Sequence, residues 1–474
     1  MAAQSLASIP DDAALVDTLM ERARAAQAKY ERTGSQAIYD RTALAAAWAL
    51  MHPDRNAELA AMAVRTTGLG NVPDKITKNH RKTLGLLRDI REAKTFGVTR
   101  DDPATGITEI ARAKGVIGAV VPSTNPVATP VNNAVNALKC GNAIVLSPSP
   151  KGNEVCEKLI GYIHAEFAKI GADPDLVQMV PAPSSKVKTQ RVMETCDLLV
   201  VTGSQDNVRR AYSSGTPALG VGAGNVTVIV DETADLAEAA RKIAASKSFD
   251  NATSCSSENA LVVVDAVFDD FMVELDRAGG CYLPSEAGED LRKALFGGGK
   301  LNRDMLAQDM SRVLEVAGIS ITGTPPRFLL IDGQGIGPDY PESGEKLSLV
   351  TTLYRARDFE GAAFIAGKLF DHIGAGHSVG LHSTDDSRAR LLGETLPTCR
   401  VIVNQAHCFA TGGSFDNGMP FSLSMGCGSW GGNSIDDNLN WRHFVNTTKI
   451  VRTIPPNEPT LDSIFGEYWR AAGQ

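Results

Sequence analysis

Apolar residues recur at three- and four-residue spacing over residues 13–30 and 41–68, so that residues 11–98 read as a helical preface. Residues 99–106 are rich in turn formers and residues 107–112 alternate, which predicts a hairpin whose open edge invites pairing with another subunit. From Gly115 the pattern changes to short continuous apolar runs at 115–122, 142–148, 176–181, 198–204 and 226–231, with helical stretches such as 129–141 and 152–171 between them. That alternation is what right-handed crossovers of a parallel, doubly wound sheet produce, and ligands bind at the strand ends of such sheets. A second set from Asp235 onward, with runs at 258–265, 378–383 and 400–405, reads as a second α/β lobe. Residues 449–474 give a strand, a Pro455-Pro456 break and a short amphipathic helix, the pattern of a subunit-contact tail.

A chain of 474 residues is long enough for two or three such units. Its formal net charge of −8 and the lack of any basic stretch speak against nucleic acid as a partner. No window approaches an uncharged apolar membrane span, and the acidic start lacks the form of an export signal, so a cytoplasmic chain without a membrane partner is expected. Eight cysteines with no CxxC pair suit a reduced compartment, and the scattered histidines and cysteines give no metal-ligand spacing.

One cysteine stands apart. Cys255 lies in the run Ser248-Phe249-Asp250-Asn251-Ala252-Thr253-Ser254-Cys255-Ser256-Ser257, between a predicted helix and the strand that follows. Small and polar neighbours leave its sulfur reachable and offer donors that stabilise a thiolate, the setting of a candidate nucleophile.

In this context the chain resembles the aldehyde dehydrogenase superfamily from about Gly115 to Val451. The resemblance rests on Val121-Pro122-Ser123-Thr124-Asn125-Pro126, residues 141–149, Val201-Thr202-Gly203-Ser204, Phe249-Asp250-Asn251 with Cys255, and Glu345-Lys346-Leu347-Ser348. It implies an α/β fold of two doubly wound lobes with a small oligomerisation element: residues 1–98 and 114–223 as preface and cofactor lobe, 224–426 as catalytic lobe, and 99–113 with 440–474 as the subunit-contact element of a homodimer or homotetramer. It implies that the Cys255 thiolate adds to an aldehyde, that the oxyanion is met by the Cys255 N–H and the side chain of Asn125 or Thr124, and that hydride passes to a nicotinamide.

The departures from that family are informative. Hydrolytic members carry a glutamate that activates the deacylating water, and Val221 occupies that slot here. Water without a base is a poor nucleophile, whereas a thiol attacks thioesters readily, so transfer to coenzyme A is expected. Residues 374–377, 426–433 and 440–446 look like marks of the coenzyme A-acylating branch. In that branch His377 corresponds to a histidine that relays a proton to or from the incoming thiol; a packed histidine is the other reading.

For the cofactor, NAD or NADP, the resemblance assigns Ser147, Pro148 and Ser149 to the adenine ribose, the helix opening at Thr202-Gly203-Ser204 to the pyrophosphate, Glu345 to the nicotinamide ribose, and Gly222 to the same cleft. Gly220-Val221-Gly222-Ala223-Gly224 is not a dinucleotide fingerprint, because no ribose-binding acid follows at the required distance. Lys151 is either a 2′-phosphate ligand or a solvated side chain. The polar, glycine-rich segment 404–417 suits a small aldehyde with an anionic group, and the chain looks closest to sulfoacetaldehyde and succinate-semialdehyde types, with Arg400 or Arg442 as candidate partners of the anion. The alternatives are a hydrolytic enzyme with a displaced base such as Glu258, a reductase of acyl phosphates, or a catalytically silent scaffold.

Overall fold

The computed structural model describes residues 11–473, the side chain of Ser285 excepted, so the first ten residues of the stretch read above as lacking an export signal lie outside it. The preface is four helices, Asp12–Arg32, Gln36–Met51, Pro53–Thr67 and Val72–Ile90. Their starts follow from capping chemistry: the side chains of Asp11, Ser35 and Asn71 accept from the backbone N–H of Ala13, Ile38 and Asp74, and a proline opens the third helix.

In chain order the strands are β1 (Gly97–Asp102), β2 (Ile107–Ala113), β3 (Val116–Val121), β4 (Ala143–Pro148), β5 (Val177–Met179), β6 (Leu198–Val201), β7 (Ala218–Gly220), β8 (Val226–Val230), β9 (Glu258–Val264), β10 (Gly280–Tyr282), β11 (Phe328–Asp332), β12 (Val350–Ala356), β13 (Val379–His382), β14 (Val401–Val403) and β15 (Val445–Val451). One parallel sheet runs β5-β4-β3-β6-β7 and a second runs β10-β11-β12-β9-β8-β13-β14. The third is antiparallel, with β2 between β1 and β15. Every residue of β3, β4, β6, β8 and β9 is buried, which is why these strands read as unbroken apolar runs rather than alternating ones.

The sheets refine the reading of the sequence in three places. Residues 226–231, taken with the first alternation, form β8 in the middle of the second sheet. β7, three residues beside the glycine ribbon, closes the first sheet and was too short for periodicity to find. Phe421, inside the stretch assigned to the second lobe, packs in the core of the first together with Leu439 and Phe444.

The Val72–Ile90 helix joins the preface to the chemistry. Its buried side includes Lys75, Lys78, Asn79, Lys82 and Thr83 as well as Leu86 and Ile90. At Gly85 an added Cβ would stand 2.2 Å from the Phe421 ring, so the helix backbone lies directly on that ring. Three residues of the loop after the Leu236–Ser248 helix, Asp250, Asn251 and Ala252, have φ of 50°, 53° and 59°, which costs on the order of 1–3 kcal/mol each for residues with side chains. The loop is fixed by Asp250, whose fully buried carboxylate takes Lys75 at 3.1 Å, Lys78 at a shorter distance, the Thr253 hydroxyl at 2.7 Å and the Asn71 N–H at 3.0 Å. Burial alone would raise the Asp250 pKa, but Lys78 and Lys75 outweigh it and hold the carboxyl below the usual carboxylate range. A depressed folded-state pKa gives stability that is present above the unfolded value near 4 and lost as the pH falls through the folded value. Asp250→Asn leaves two buried lysines without a countercharge. Chemical denaturation at pH 7 is therefore expected to show a loss of about 3–5 kcal/mol, and the variant should be less sensitive to acid below pH 4 than the parent chain; equal stability at pH 7 would contradict the role given to this carboxylate.

Candidate active site

The carboxyl ends of β3, β4 and β6, the ribbon 221–224, the loop carrying Cys255 and residues of the 345–347 and 408–412 segments enclose one cavity of about 720 Å³. Ligands of open α/β sheets bind at that end of the strands. Of the residues singled out in the sequence, Cys255, Thr124, Asn125, Ser147, Pro148, Ser149, Thr202, Gly203, Ser204, Gly222 and Glu345 all stand on this one wall. Two cysteines reach it, and of these Cys408 is buried whereas Cys255 is partly exposed.

Cys255 begins in a less reactive state than its polar neighbours suggested. Burial pushes the thiol up to about 12, and the nearby Glu345 carboxyl adds to the rise, while the Ser256 hydroxyl and the backbone N–H of Cys255 itself oppose it. Of the serines expected to favour the thiolate, Ser256 also donates its hydroxyl to the Met425 sulfur at 3.6 Å, and the Ser254 hydroxyl accepts from the Ser256 N–H at 3.2 Å. Glu345 is itself pushed up to about 8 by burial, against the pull of Lys247 and Lys346, and so is mostly neutral at pH 7.

Next to the thiol, the Asn125 Oδ1 accepts from Lys78 Nζ at 3.0 Å, which turns the amide so that its NH2 end is the free donor. Among the described residues that NH2 group has no hydrogen-bond partner. Lys75 Nζ donates to the Thr124 carbonyl at 3.4 Å. The same two lysines that hold Asp250 therefore also set the segment proposed to meet the oxyanion.

The other end of the cavity has the form of a dinucleotide cradle. The Ser147 hydroxyl pairs with that of Thr189 at 3.1 Å, and the buried Ser149 Oγ has no partner. Ser204 caps the Gln205–Tyr212 helix by accepting from the Asn207 N–H at 3.4 Å, with Gly203 ahead of it leaving the approach clear. An orphan hydroxyl and a helix N-terminus approached over an unobstructed glycine fit a nicotinamide dinucleotide. Lys151 is not part of this wall: it is exposed, and its Nζ turns to the Thr67 carbonyl at 3.4 Å. Lys186 and Arg210 line the cavity instead, with Arg210 donating to the Lys186 carbonyl at 3.2 Å.

Other sequence candidates stand away from the wall. His377 is 1% exposed; its Nδ1 pairs with the Ser378 hydroxyl at 2.8 Å, that hydroxyl pairs with His407 Nε2 at 2.9 Å, and burial holds the imidazole down at about 3. It sits beside β13 and is not among the residues lining the cavity, and its buried Nε2 has no partner among the described residues. Arg400 is buried and spent on Asn438 Oδ1 at 3.0 Å, the His377 carbonyl at 3.1 Å and the Gly426 carbonyl at 2.9 Å. Arg442 lies over the Trp441 ring at 4.9 Å, outside the cavity. Glu258 is buried at 1% exposure beside Lys247, pushed up to about 7 by burial, and does not line the cavity, so it is no replacement for the water-activating base. Val221 does line it. Among the described residues no cluster of histidine, cysteine and carboxylate side chains has the form of a metal site.

The sequence reading missed Lys78, Arg81 and Lys82, all on the wall. Their signal was present as lysines at 75, 78 and 82 and an arginine at 81, one stripe of a helix, but charged positions at helical spacing read as a solvated face.

An α/β chain with a nucleophilic cysteine at the meeting point of a dinucleotide cradle and a small-molecule pocket defines a class of dehydrogenase, and residues 3–279 match the model of the aldehyde dehydrogenase family. The chain belongs to that family and is an oxidoreductase of aldehydes. It is 54% identical over 97% of its length, and 93% of the relative's, to an acylating sulfoacetaldehyde dehydrogenase of Cupriavidus necator. It is 35% identical over 92% of its length, and 95% of the relative's, to an acetylating succinate-semialdehyde dehydrogenase of Clostridium kluyveri. Among solved structures, an acetylating aldehyde dehydrogenase of Geobacillus thermoglucosidasius superposes with a TM-score of 0.91 at 32% identity, covering 95% of this chain and 100% of that one. A propionaldehyde dehydrogenase of Rhodopseudomonas palustris, with bound CoA and an acylated cysteine, gives a TM-score of 0.81 at 25% identity over 92% of this chain and 97% of that one.

The electrostatics of the free site make a prediction about reactivity. Alkylation of Cys255 by iodoacetamide, followed peptide by peptide in a mass spectrometer, should at pH 7.5 run at least about tenfold slower than for an unhindered thiol and accelerate steadily with pH. Ionised Glu345 opposes the thiolate, so Glu345→Gln should speed alkylation, most clearly above pH 8. A Cys255 already fully reactive at pH 7 would show that the thiol is not held protonated.

Proposed function

We propose that this chain oxidises sulfoacetaldehyde and passes the acyl group to coenzyme A, with NAD or NADP as acceptor. The observation that carries this reading is Val221: the ribbon beside the nucleophile offers an alkyl group where a hydrolytic enzyme needs a carboxylate base. The other carboxylates on the wall are assigned elsewhere, Glu345 to the nicotinamide ribose and Asp206 to the first turn of the helix at the nucleotide end.

In this mechanism Cys255 Sγ bonds to the aldehyde carbon as its proton passes to solvent, and the oxyanion is met by the Asn125 NH2 group and the Cys255 N–H. The nicotinamide, when bound, supplies the two-electron acceptor for the hydride lost from that carbon. The acyl group then remains on Cys255 as a thioester, shielded from a water molecule that no base activates. The thiolate of coenzyme A attacks it, the Cys255 sulfur leaves, and one thioester has been exchanged for another with the energy of the oxidation kept. Thr124, Asn125, Cys255, the cradle residues and Glu345 are the residues assigned to these steps.

The domain division is proposed with them: residues 1–98 and 114–223 for the cofactor, 224–426 for catalysis, and 99–113 with 440–474 for subunit contact. The last is supported by the open edge of β1 and by the exposed apolar side chains Leu461, Ile464, Phe465 and Tyr468 of the Leu461–Ala471 helix, which a second copy would cover. No helix among the described residues is long and apolar enough to cross a membrane; the location proposed is the cytoplasm.

With sulfoacetaldehyde and NAD or NADP, purified enzyme is expected to reduce about one equivalent of cofactor per active site and then stop until coenzyme A is added, with acyl-coenzyme A as product. Sustained reduction at full rate without coenzyme A, with free acid accumulating, would make the enzyme hydrolytic. In sedimentation equilibrium the protein should have at least twice the 50.2 kDa mass of one chain, and a monomer would contradict the proposed contact element.

A further inference from the structure

We propose that Arg81 and Lys82, on the cavity wall beyond Cys255, are the residues that hold the sulfonate of the substrate; this rests on the acylating reading above and names the side chains that select the aldehyde. Lys78, Arg81 and Lys82 stand at three- and four-residue spacing on one helix and all reach the cavity. Lys78 is satisfied by Asp250, whereas among the described residues neither Arg81 nor Lys82 is in an ion pair. Lys82, 8% exposed, donates only to the Gly412 carbonyl at 2.6 Å. Arg81 donates to the Ser414 hydroxyl at 2.6 Å and to the Phe409 carbonyl at 3.4 Å, while its buried Nε has no partner. Ser414 in turn contacts Asp416, so the carboxylate nearest to Arg81 is engaged through a hydroxyl.

Phe249, Thr253, Cys255, Cys408, Phe409 and Gly412 share the wall with these cations, and Lys78 links them to the Asn125 amide. The Arg81 guanidinium lies 5.0 Å from the centre of the Phe409 ring, with Phe415 at 5.8 Å and Phe421 at 6.0 Å, a setting that keeps water away from it. One methylene separates the aldehyde carbon of sulfoacetaldehyde from its sulfonate, so with the carbonyl at Cys255 the anion stays among the residues that share this wall.

Uncompensated cations in such surroundings are expensive to keep, and burial pulls Lys82 down to about 7 and lowers Arg81 as well. An arriving anion removes that cost by pairing with both, and the guanidinium can meet two sulfonate oxygens at once. A neutral alkyl aldehyde would leave them unpaired, so the wall discriminates by penalty as well as by attraction.

The test compares kcat/KM for sulfoacetaldehyde and for propionaldehyde at saturating coenzyme A and dinucleotide. In Arg81→Gln and Lys82→Gln the ratio of the two is expected to fall by about 30-fold or more, from the loss of one charge-assisted contact, with Arg81→Lys falling less than Arg81→Gln. A ratio within threefold of the parent enzyme would overturn the proposal. Competition in the parent enzyme needs no variant to fold: ethanesulfonate should inhibit sulfoacetaldehyde oxidation competitively and more tightly than propionate, and neutral propanamide should not. Failure of ethanesulfonate to compete, or the reverse order with propionate, would also overturn it. The acylating reading fails by a different result, turnover of propionaldehyde by the parent enzyme without coenzyme A.

Discussion

The buried contact of Asp250 with Lys75 and Lys78 is the constraint on which the active site depends. It joins a helix of the preface to the nucleophile loop of the second lobe, more than a hundred residues away in sequence. Taking a carboxylate and two ammonium groups out of water costs several kcal/mol per ion, and such a cluster lasts only where hydrogen bonds meet the remaining donors and acceptors. Here Thr253, Asn71 and Asn125 do so. The return is geometric. Three successive left-handed residues, each unfavourable alone, are locked into the turn that presents Cys255, and Lys78 fixes the amide of Asn125 from the same point.

This arrangement separates holding the nucleophile from activating it. The cations are aimed at Asp250 and the cavity wall, and the thiol keeps its proton in the free site because burial and Glu345 both work against its ionisation. A sulfur that stays protonated at rest is protected from stray oxidation, and it gains in reactivity when a substrate carbonyl can share the charge with the donors beside it.

Much of this was legible in the sequence. The unbroken apolar runs mark strands buried on both faces, and β3, β4, β6, β8 and β9 follow them; Cys255, the strand-end serines and Glu345 fall where the family motifs put them. What stayed hidden has a common physical cause. Patterning treats lysine as a surface residue, so the stripe of Lys75, Lys78 and Lys82 read as solvated although it faces Asp250 and the cavity. Sequence proximity also misled: Lys151 is near the strand-end serines along the chain but turns outward, whereas Lys186 and Arg210 arrive from later elements. His377 and Arg400 were attractive as chemistry, yet both lie in the seam beside β13 and residues 426–438, where Arg400 donates to carbonyls and His377 pairs through Nδ1 alone. No local signal distinguishes a histidine in a seam from one in a cleft.

The ribbon Val221-Gly222-Ala223-Gly224 brings these constraints together. Its glycines look like a nucleotide-binding fingerprint, but their need is one of contact between backbones: a Cβ at Gly224 would lie 2.5 Å from the Cys255 carbonyl, 2.7 Å from its Cβ and 2.8 Å from Glu345 Oε1, and one at Gly222 would lie 2.6 Å from the Cys427 sulfur. The ribbon is pressed against the nucleophile, and such close approach admits only glycine at these points. Side chains from its other residues are thereby among the few groups able to stand beside the thioester, which is why the identity of residue 221 matters so much. A carboxylate there would activate water at the acyl carbon; valine excludes water and leaves the approach to a nucleophile that brings its own reactivity. The choice between hydrolysis and thiol transfer thus follows from one position on a strip of backbone whose place is dictated by packing.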